Sequence, residues 1–184
     1  TDTKVRTDHK VAYGTKNMTK GPAMTREQAV KGIESGIAMV EELKGKGYKI
    51  LATGEMGIGN TTTSSAVASV LLNQPVEEMT GRGAGLTSEG LARKIGAIRK
   101  AIKLNQPDPS DAVDVLAKVG GLDIAGMAGV FLGGAIYGIP VVMDGFISCV
   151  SALIAMQICP AAGDYMIASH VSREPAAHLI LEHM

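Results

Sequence analysis

The sequence contains no tryptophan, and aromatic residues make up only 3% of its 184 positions. A core built with so few rings depends on Leu, Ile, Val, Ala and Met. Proteins that bind single-stranded nucleic acid stack bases on aromatic side chains, which are too few here. An excess of positive charge is missing as well, because 18 Lys and Arg residues balance 18 Asp and Glu residues. The composition therefore predicts no nucleic-acid partner.

The sequence pattern predicts neither a signal peptide nor a transmembrane segment. Residues 1–20 are polar and charged, unlike the apolar centre of a signal peptide. Residues 122–143 form the most apolar stretch, but Asp123 and the Gly-Ile-Pro run at 138–140 interrupt it. A buried helix followed by a buried strand explains this stretch better than a membrane span. We therefore expect a cytoplasmic protein that has no membrane partner.

Cysteine is rare. Cys149 and Cys159 each lie in an apolar stretch, which predicts two buried, reduced thiols. Two cysteines without a histidine pattern nearby do not make a zinc site, so they predict no metal centre.

Glycine is abundant instead, with 23 residues concentrated in short runs. Such runs serve tight turns or a close approach of the backbone to a ligand or a helix. Short apolar runs at 48–52, 139–143 and 165–168 alternate with segments of helical periodicity. Repeated strand–turn–helix units predict an α/β fold, Rossmann-like, with three αβα layers and a mostly parallel sheet. We expect residues 1–184 to form one domain.

Capping patterns predict where several helices begin. Thr25 and Gln28 have the spacing of a capping box at the start of the first helix. Further caps are predicted at Ser88, at Ser110 or Asp111, and at Asp123. Apolar or small-residue helices are expected near 122–136 and 148–158, and either one could pack in the core or against another protein.

The turn at residues 54–60 follows the first predicted strand and contains three glycines. The helix after it would present unpaired N–H groups and the positive end of its dipole, which suits a phosphate. Asn60 and Thr61 would add side-chain donors. A plain tight turn with a Thr-rich cap explains the spacing equally well, since the run is neither a P-loop nor a strict dinucleotide fingerprint.

Glu55 is an unusual residue in such a turn, because its charge would repel a phosphate. It fits the turn if it orients a sugar hydroxyl or faces a cationic ring. The alternative is a solvent-facing acid with no role in binding.

A second glycine-rich turn at residues 80–85 could complete an anion site with its backbone amides and Arg82. Lys94, on the next predicted helix, could reach a carboxylate. Taken singly, Arg82 and Lys94 are better explained as solvated surface charges.

Polar residues follow the second and third predicted strands. Asp144 comes after one strand, and Ser169 and His170 come after the other. Ligands of open α/β sheets bind beyond the carboxyl ends of the strands. The sequence therefore predicts that these residues and the turn at 54–60 meet at one edge. No convincing order of a Ser-His-Asp triad is present.

Five runs occur in an order that closely resembles the nicotinate-nucleotide–dimethylbenzimidazole phosphoribosyltransferase family. They are GEMGIGNTT at 54–62, TGRG at 80–83, GGLDIAGM at 120–127, PVVMDGF at 140–146 and SH at 169–170. The resemblance implies transfer of ribose 5-phosphate from nicotinate mononucleotide to 5,6-dimethylbenzimidazole, a step in making the lower ligand of cobalamin. It also implies no cofactor, no metal and a homodimer.

The resemblance implies roles for individual residues. Gly57, Asn60, Thr61 and Gly83 would line the phosphate and ribose, and Glu55 would face the ribose or the reacting base as the candidate catalytic residue. The remaining implied substrate-binding residues are Asp144, Ser169 and His170 around the nucleotide and Lys94 near the carboxylate of nicotinate.

The resemblance also implies a difference in length. Proteins of the family extend on both sides of the matching region, with a small helical domain and a general-base glutamate near the C-terminus. We therefore expect a central nucleotide-binding portion of a longer transferase, with little activity by itself. The other hypotheses are a nucleotide-binding module without catalysis and a structural subunit without a ligand.

Overall fold

The computed structural model describes residues 9–83 and 85–184. In this part of the chain, short strands alternate with helices. The elements in chain order are α1 (Arg26–Gly45), β1 (Leu51–Ala52), α2 (Thr61–Leu71), α3 (Val76–Met79), α4 (Ser88–Asn105), α5 (Ala112–Val119), α6 (Leu122–Tyr137), β2 (Val141–Met143), α7 (Phe146–Ile158), a 3₁₀ helix (Pro160–Tyr165), β3 (Met166–Ala168) and α8 (Pro175–His183).

The strands form a parallel sheet in the order β1-β2-β3. Leu51 pairs with Val141, and Val141 pairs with Met166, so the carboxyl ends of the strands lie at one edge. The predicted α/β fold with a parallel sheet is confirmed. Because every strand points the same way, the loops that carry the candidate residues leave the sheet on the same side.

The strands are shorter than the sequence predicts. The backbone N–H of Leu51 donates to the carbonyl of Pro140 at 3.0 Å, and pairing begins there. Pro140 has no N–H to donate, so the ladder does not extend back towards residue 139. Tyr48 and Ile50 are 53% and 56% exposed, outside the paired region. The predicted strands at 48–52 and 139–143 therefore shrink to two and three residues.

Glycines let α1 and α6 approach each other closely. A Cβ built on Gly36 would lie 2.0 Å from the carbonyl oxygen of Gly126, and one on Gly129 would lie 1.9 Å from that of Ile33. Neither distance is possible for a real side chain. The small residues of α6 therefore pack within the core against α1, and α7 is buried from Phe146 to Ala155.

Two predicted helix caps are observed and two are not. Thr25 and Gln28 form the reciprocal capping box, and Asp111 caps α5 through the N–H groups of residues 113 and 114. Thr87, not Ser88, caps α4, since its side chain accepts from the N–H of residue 90. Asp123 lies in the first turn of α6 after the cap position at Gly121, so the cap predicted at Asp123 is wrong.

The prediction of two buried cysteines is half correct. Cys149 is buried in α7, whereas Cys159 is exposed just beyond the end of that helix. The apolar stretch 122–143 is the expected helix followed by a strand. Within residues 9–83 and 85–184, no helix has the length and apolar character needed to cross a membrane.

Candidate functional site

The first glycine turn leads from the carboxyl end of β1 to the N-terminus of α2. Gly57 and Gly59 have φ angles of +79° and +83°, which side chains rarely tolerate. Asn60 precedes α2 but makes no capping hydrogen bond, and the first turn of the helix contains no acidic residue. The first N–H groups of α2 thus have no side-chain cap, and they are available to donate hydrogen bonds to an anion.

Glu55 turns back onto this loop. Its Oε2 atom accepts a hydrogen bond of 2.5 Å from the N–H of Gly57. The residue is exposed, and it lines both the cleft beside α2 and an apolar groove on α1 and α6. A carboxylate at this point faces ligand space from two sides, so it can act on a polar group held between them.

The second glycine turn contacts the first. Gly83 has a φ of +55°, and a Cβ built on it would lie 2.9 Å from Thr61 Oγ1. The N–H of Gly83 donates to Glu174 Oε1 at 3.0 Å. Only a residue without a side chain fits between Thr61 and this backbone. The structure therefore brings together the predicted residues Gly57, Thr61 and Gly83.

Lys94 is buried, with 6% of its surface exposed, so the interpretation as a surface charge is wrong. Its Nζ atom donates to Thr61 Oγ1 and to the carbonyl of Gly81, each at 3.0 Å. Burial lowers the pKa of the Lys94 ammonium, and the charge of Glu174 partly opposes that change. Lys94 therefore places a positive charge directly behind Thr61, at the start of α2. Arg82 is exposed, as predicted.

The residues after β2 and β3 lie at the same edge of the sheet but differ in their contacts. A Cβ on Gly54 would lie 3.7 Å from Asp144 Oδ2, so Asp144 adjoins the first turn. Ser169 Oγ and His170 Nδ1 are 2.9 Å apart, and both residues are exposed. In the described part of the chain, residues 172 and 174 of this segment line the cleft, whereas Ser169 and His170 do not.

These segments enclose a cleft of about 270 Å³. The turns contribute Glu55, Met56, Gly57, Thr61 and Gly83, and the loops after β2 and β3 contribute Gly145, Phe146, Ile147, Ser148, Ser172 and Glu174. This volume is close to the lower end of the ~300–1,000 Å³ found for small-molecule pockets. It suits a small phosphorylated ligand that enters at the carboxyl edge of the sheet.

A larger and more apolar groove of about 450 Å³ lies on the other side of Glu55. Its walls include Met39 from α1 and Leu122, Met127 and Val130 from α6. Met56 in the first turn lines the polar cleft and is 86% exposed. Apolar surface therefore adjoins the polar cleft, with the Glu55 carboxylate between them.

The sequence patterns predicted a different role for one acidic residue of the site, Asp123, and gave no prediction for another, Glu174. Asp123 accepts a 2.6 Å hydrogen bond from Asn60 Nδ2, although the sequence predicted it as a helix cap. Glu174 reaches the second turn across 91 positions. The local sequence marks Glu174 only as an acidic residue directly before Pro175, the first residue of α8.

A parallel α/β fold with an uncapped helix N-terminus, two glycine turns and a buried lysine at the carboxyl edge is an arrangement suited to binding a phosphate. Comparison with known sequences takes this further. A family model described as phosphoribosyltransferase matches residues 1–184, and the chain belongs to this family.

The relatives it resembles carry a common name. The chain is 56% identical over 175 residues to nicotinate-nucleotide–dimethylbenzimidazole phosphoribosyltransferase of Clostridium acetobutylicum, covering 95% of the chain and 50% of that protein. It is also 56% identical to the protein of that name from Ruminiclostridium cellulolyticum, with the same coverage. The chain thus spans about half the length of these relatives.

Solved structures agree with the fold. The crystal structure of CobT from Thermus thermophilus matches with a TM-score of 0.88 and 39% identity, over 95% of this chain and 52% of that one. The α/β architecture is therefore shared with an enzyme that is about twice as long.

Proposed function

We propose that this chain forms the ribosyl-phosphate-binding part of an enzyme that transfers ribose 5-phosphate from nicotinate mononucleotide to 5,6-dimethylbenzimidazole. The observation that carries the proposal is that Lys94 Nζ donates to Thr61 Oγ1, and Thr61 lines the cleft at the uncapped N-terminus of α2. The names of its relatives supply the substrates. These names favour an enzyme over the alternative of a non-catalytic nucleotide-binding module.

The phosphate of the donor binds at the start of α2 in this proposal. The first N–H groups of that helix have no side-chain cap, and Thr61, its first residue, lines the cleft. Lys94 already holds Thr61 Oγ1 at 3.0 Å, so a phosphate on Thr61 would lie within reach of the ammonium. A buried positive charge attracts a dianion more strongly than an exposed one, because less water screens it.

The ribose then extends from α2 towards the ends of β1 and β2. Asn60 and Asp144 border this direction and offer donors and acceptors for hydroxyl groups. Ser169 and His170 lie farther along the same edge, and we propose that they contact the nucleotide at its outer side.

Glu55 is the proposed proton acceptor or orienting group for the incoming base. A ring nitrogen of dimethylbenzimidazole attacks C1′, the bond from C1′ to the nicotinate nitrogen breaks with inversion, and nicotinate leaves with the electron pair. The benzimidazole N–H proton must then pass to a base. Glu55 lines both the polar cleft and the apolar groove on α1 and α6, a position that suits an apolar ring with one acidic N–H.

We further propose that the protein acts as a cytoplasmic homodimer, as expected from the family resemblance. Sedimentation of the natural gene product that carries this chain would test the oligomeric state. A monomer at micromolar concentration would contradict that part of the proposal.

The test of function uses the natural gene product that carries this chain. We expect nicotinate mononucleotide and dimethylbenzimidazole to yield α-ribazole 5′-phosphate and nicotinate, detected by chromatography. No turnover, together with no binding of nicotinate mononucleotide by calorimetry, would overturn the proposal.

The Glu55→Gln variant tests the proposed role of the carboxylate. Glutamine keeps an oxygen for the Gly57 N–H but cannot take a proton, so we expect kcat to fall at least tenfold, below the ~10²–10⁴-fold typical of a sole general base. Affinity for nicotinate mononucleotide should change little. Glu34→Gln, an exposed position on α1, is the matched control and should keep full activity. An unchanged kcat in Glu55→Gln would remove Glu55 from the mechanism.

A further inference from the structure

We propose that Glu174 is a positioning residue that fixes the second glycine turn and the Lys94 ammonium as one preformed wall of the cleft. This inference rests on the proposed function for the identity of the ligand. Its structural basis is a carboxylate from the segment before α8 that lies against two other parts of the chain.

The first contact is with the glycine turn. Glu174 Oε1 accepts the N–H of Gly83 at 3.0 Å. A Cβ built on Gly81 would lie 2.1 Å from Glu174 Oε2 and 2.7 Å from Pro175 Cδ. The backbone of the turn thus rests directly on the carboxylate, and residue 81 has no room for a side chain.

The second contact is electrostatic. Glu174 Oε2 is buried and accepts no hydrogen bond from the described residues. An unpaired buried carboxylate oxygen is costly unless a positive charge lies near it. The negative charge of Glu174 favours the charged form of the buried Lys94. The Lys94 ammonium donates its hydrogen bonds to Thr61 Oγ1 and to the carbonyl of Gly81. Glu174 and Lys94 therefore both bind the turn, Glu174 at the N–H of residue 83 and Lys94 at the carbonyl of residue 81.

The position of Glu174 in the chain suits this role. It directly precedes Pro175 at the start of α8, and that helix packs against α7 and α3. Its own N–H donates to Ser172 Oγ at 3.3 Å, and Ser172 and Glu174 both line the cleft. The carboxylate is thus attached to a packed helix and not to a free loop. The packing of α8 therefore fixes the position of the Glu174 carboxylate, and through it the turn at residues 81–83 beside the proposed phosphate site.

Other charged groups around Lys94 are arranged differently. Glu55 and Arg82 belong to the two turns, and Arg82 donates to the carbonyl of Leu86 and to Ser88 Oγ. The remaining charged or titratable side chains on the neighbouring elements are Glu77 and Glu78 on α3, Glu89, Arg93, Arg99, Lys100 and Lys103 on α4, and Arg173, His178, Glu182 and His183 in and before α8. α2 carries no charged residue. Among the groups described, Glu174 is the one whose charge raises the pKa of Lys94.

The first experiment needs no ligand. In Glu174→Gln, the amide keeps the shape of the side chain but removes the charge, so the pKa of Lys94, followed by lysine side-chain NMR, should fall. In Glu174→Ala, exchange of the Gly83 amide should accelerate by about tenfold or more, since its charged acceptor is gone. Glu78→Gln, an exposed position on α3, is the matched control and should change neither quantity.

The second experiment measures binding of nicotinate mononucleotide against pH. Binding by Glu174→Gln should weaken at a lower pH than in the unmodified chain, because Lys94 loses its proton earlier. A purely structural role would weaken binding equally at every pH. In turnover assays KM should rise at least about fivefold, with a smaller change in kcat, because a loosened wall weakens binding of the donor.

The outcomes separate the two proposals. An unchanged Lys94 pKa in Glu174→Gln, with an unchanged Gly83 exchange rate in Glu174→Ala, would overturn the role of Glu174 whether or not the nucleotide binds. Shifts in both quantities without any binding of nicotinate mononucleotide by the unmodified chain would support the positioning contact and overturn the proposed function. Shifts in both together with the altered pH profile would support both.

Discussion

The side-chain amide of Asn60 donates a hydrogen bond of 2.6 Å to Asp123 Oδ2, which joins the start of α2 to the first turn of α6. Asn60 occupies the cap position of α2, where an asparagine side chain usually accepts a hydrogen bond from the helix. Because Asp123 engages this side chain, the first N–H groups of α2 remain available. The contact thus explains how a good capping residue leaves a helix end open to an anion.

Replacing Asp123 tests this explanation. In Asp123→Ala the Asn60 side chain is free to turn and cap α2, where it would compete with a phosphate. We expect affinity for nicotinate mononucleotide to fall several-fold and the free energy of unfolding to drop by ~1–2 kcal/mol. Calorimetry and urea unfolding measure these effects. Asp164→Ala, an aspartate in the 3₁₀ helix away from the cleft, is the control. Full affinity in Asp123→Ala would show that the contact does not keep α2 open.

Removing the charge of Lys94 should weaken binding of the donor. Hydrogen bonds to charged groups contribute ~1.5–3 kcal/mol, so Lys94→Met should lose about 10- to 100-fold in affinity for nicotinate mononucleotide. Lys100→Met on the exposed side of α4 is the matched control and should bind normally. Because burial lowers the pKa of Lys94, binding by the unmodified chain should decline with rising pH before an ordinary lysine loses its proton. Equal affinities in the two variants would exclude Lys94 from the site.

Two glycines of α6 should respond in opposite ways to substitution. A Cβ on Gly129 would lie 1.9 Å from the carbonyl oxygen of Ile33, whereas one on Gly126 would meet nothing within 4 Å. Gly129→Ala should destabilise the protein by ~3 kcal/mol or more, because backbone must move. Gly126→Ala should be neutral or stabilising by up to ~1 kcal/mol, since alanine favours the helix. Thermal unfolding of both variants checks the α1–α6 contact, and similar melting temperatures would contradict it.

The two cysteines should differ in reactivity. Burial raises the pKa of the Cys149 thiol to about 11, so little thiolate forms there at pH 8. Cys159 is exposed and should be alkylated first. Mass spectrometry after brief iodoacetamide treatment should find one label in the native protein and two after denaturation. Preferential labelling of Cys149 would contradict the observed packing of α7.

The raised pKa of Cys149 also predicts a loss of stability in alkali. The folded state keeps the thiol protonated, while the unfolded chain loses that proton above its ordinary pKa of 9.0. The contribution of Cys149 is therefore complete below pH 9 and is lost as the pH rises towards about 11. Urea unfolding of Cys149→Ala and the unmodified chain between pH 8 and 10.5 should reveal a shallower pH dependence in the variant. Parallel curves would argue against a buried thiol.

Several features followed from the sequence because they depend on neighbours in the chain. The capping box of Thr25 and Gln28, the cap at Asp111 and the turn before α2 all arise from sterics and hydrogen bonds within a few residues. Alternating apolar runs and helical periodicity likewise predicted a parallel α/β sheet. The order of the glycine-rich runs was sufficient to identify the resemblance to the phosphoribosyltransferases, since it depends on residue identity and not on packing.

Tertiary structure decided which charged side chains belong to the site. Lys94 resembles any other basic residue on a surface helix until the turn at 81–83 and Glu174 cover it. Asp123 could cap α6 in sequence, yet it accepts from Asn60, and Cys159 lies in an apolar stretch, yet it is exposed. Burial and pairing of this kind result from contacts between residues tens of positions apart. Local patterns in the sequence do not predict such contacts, because the energy of a buried charge depends on which distant group lies beside it.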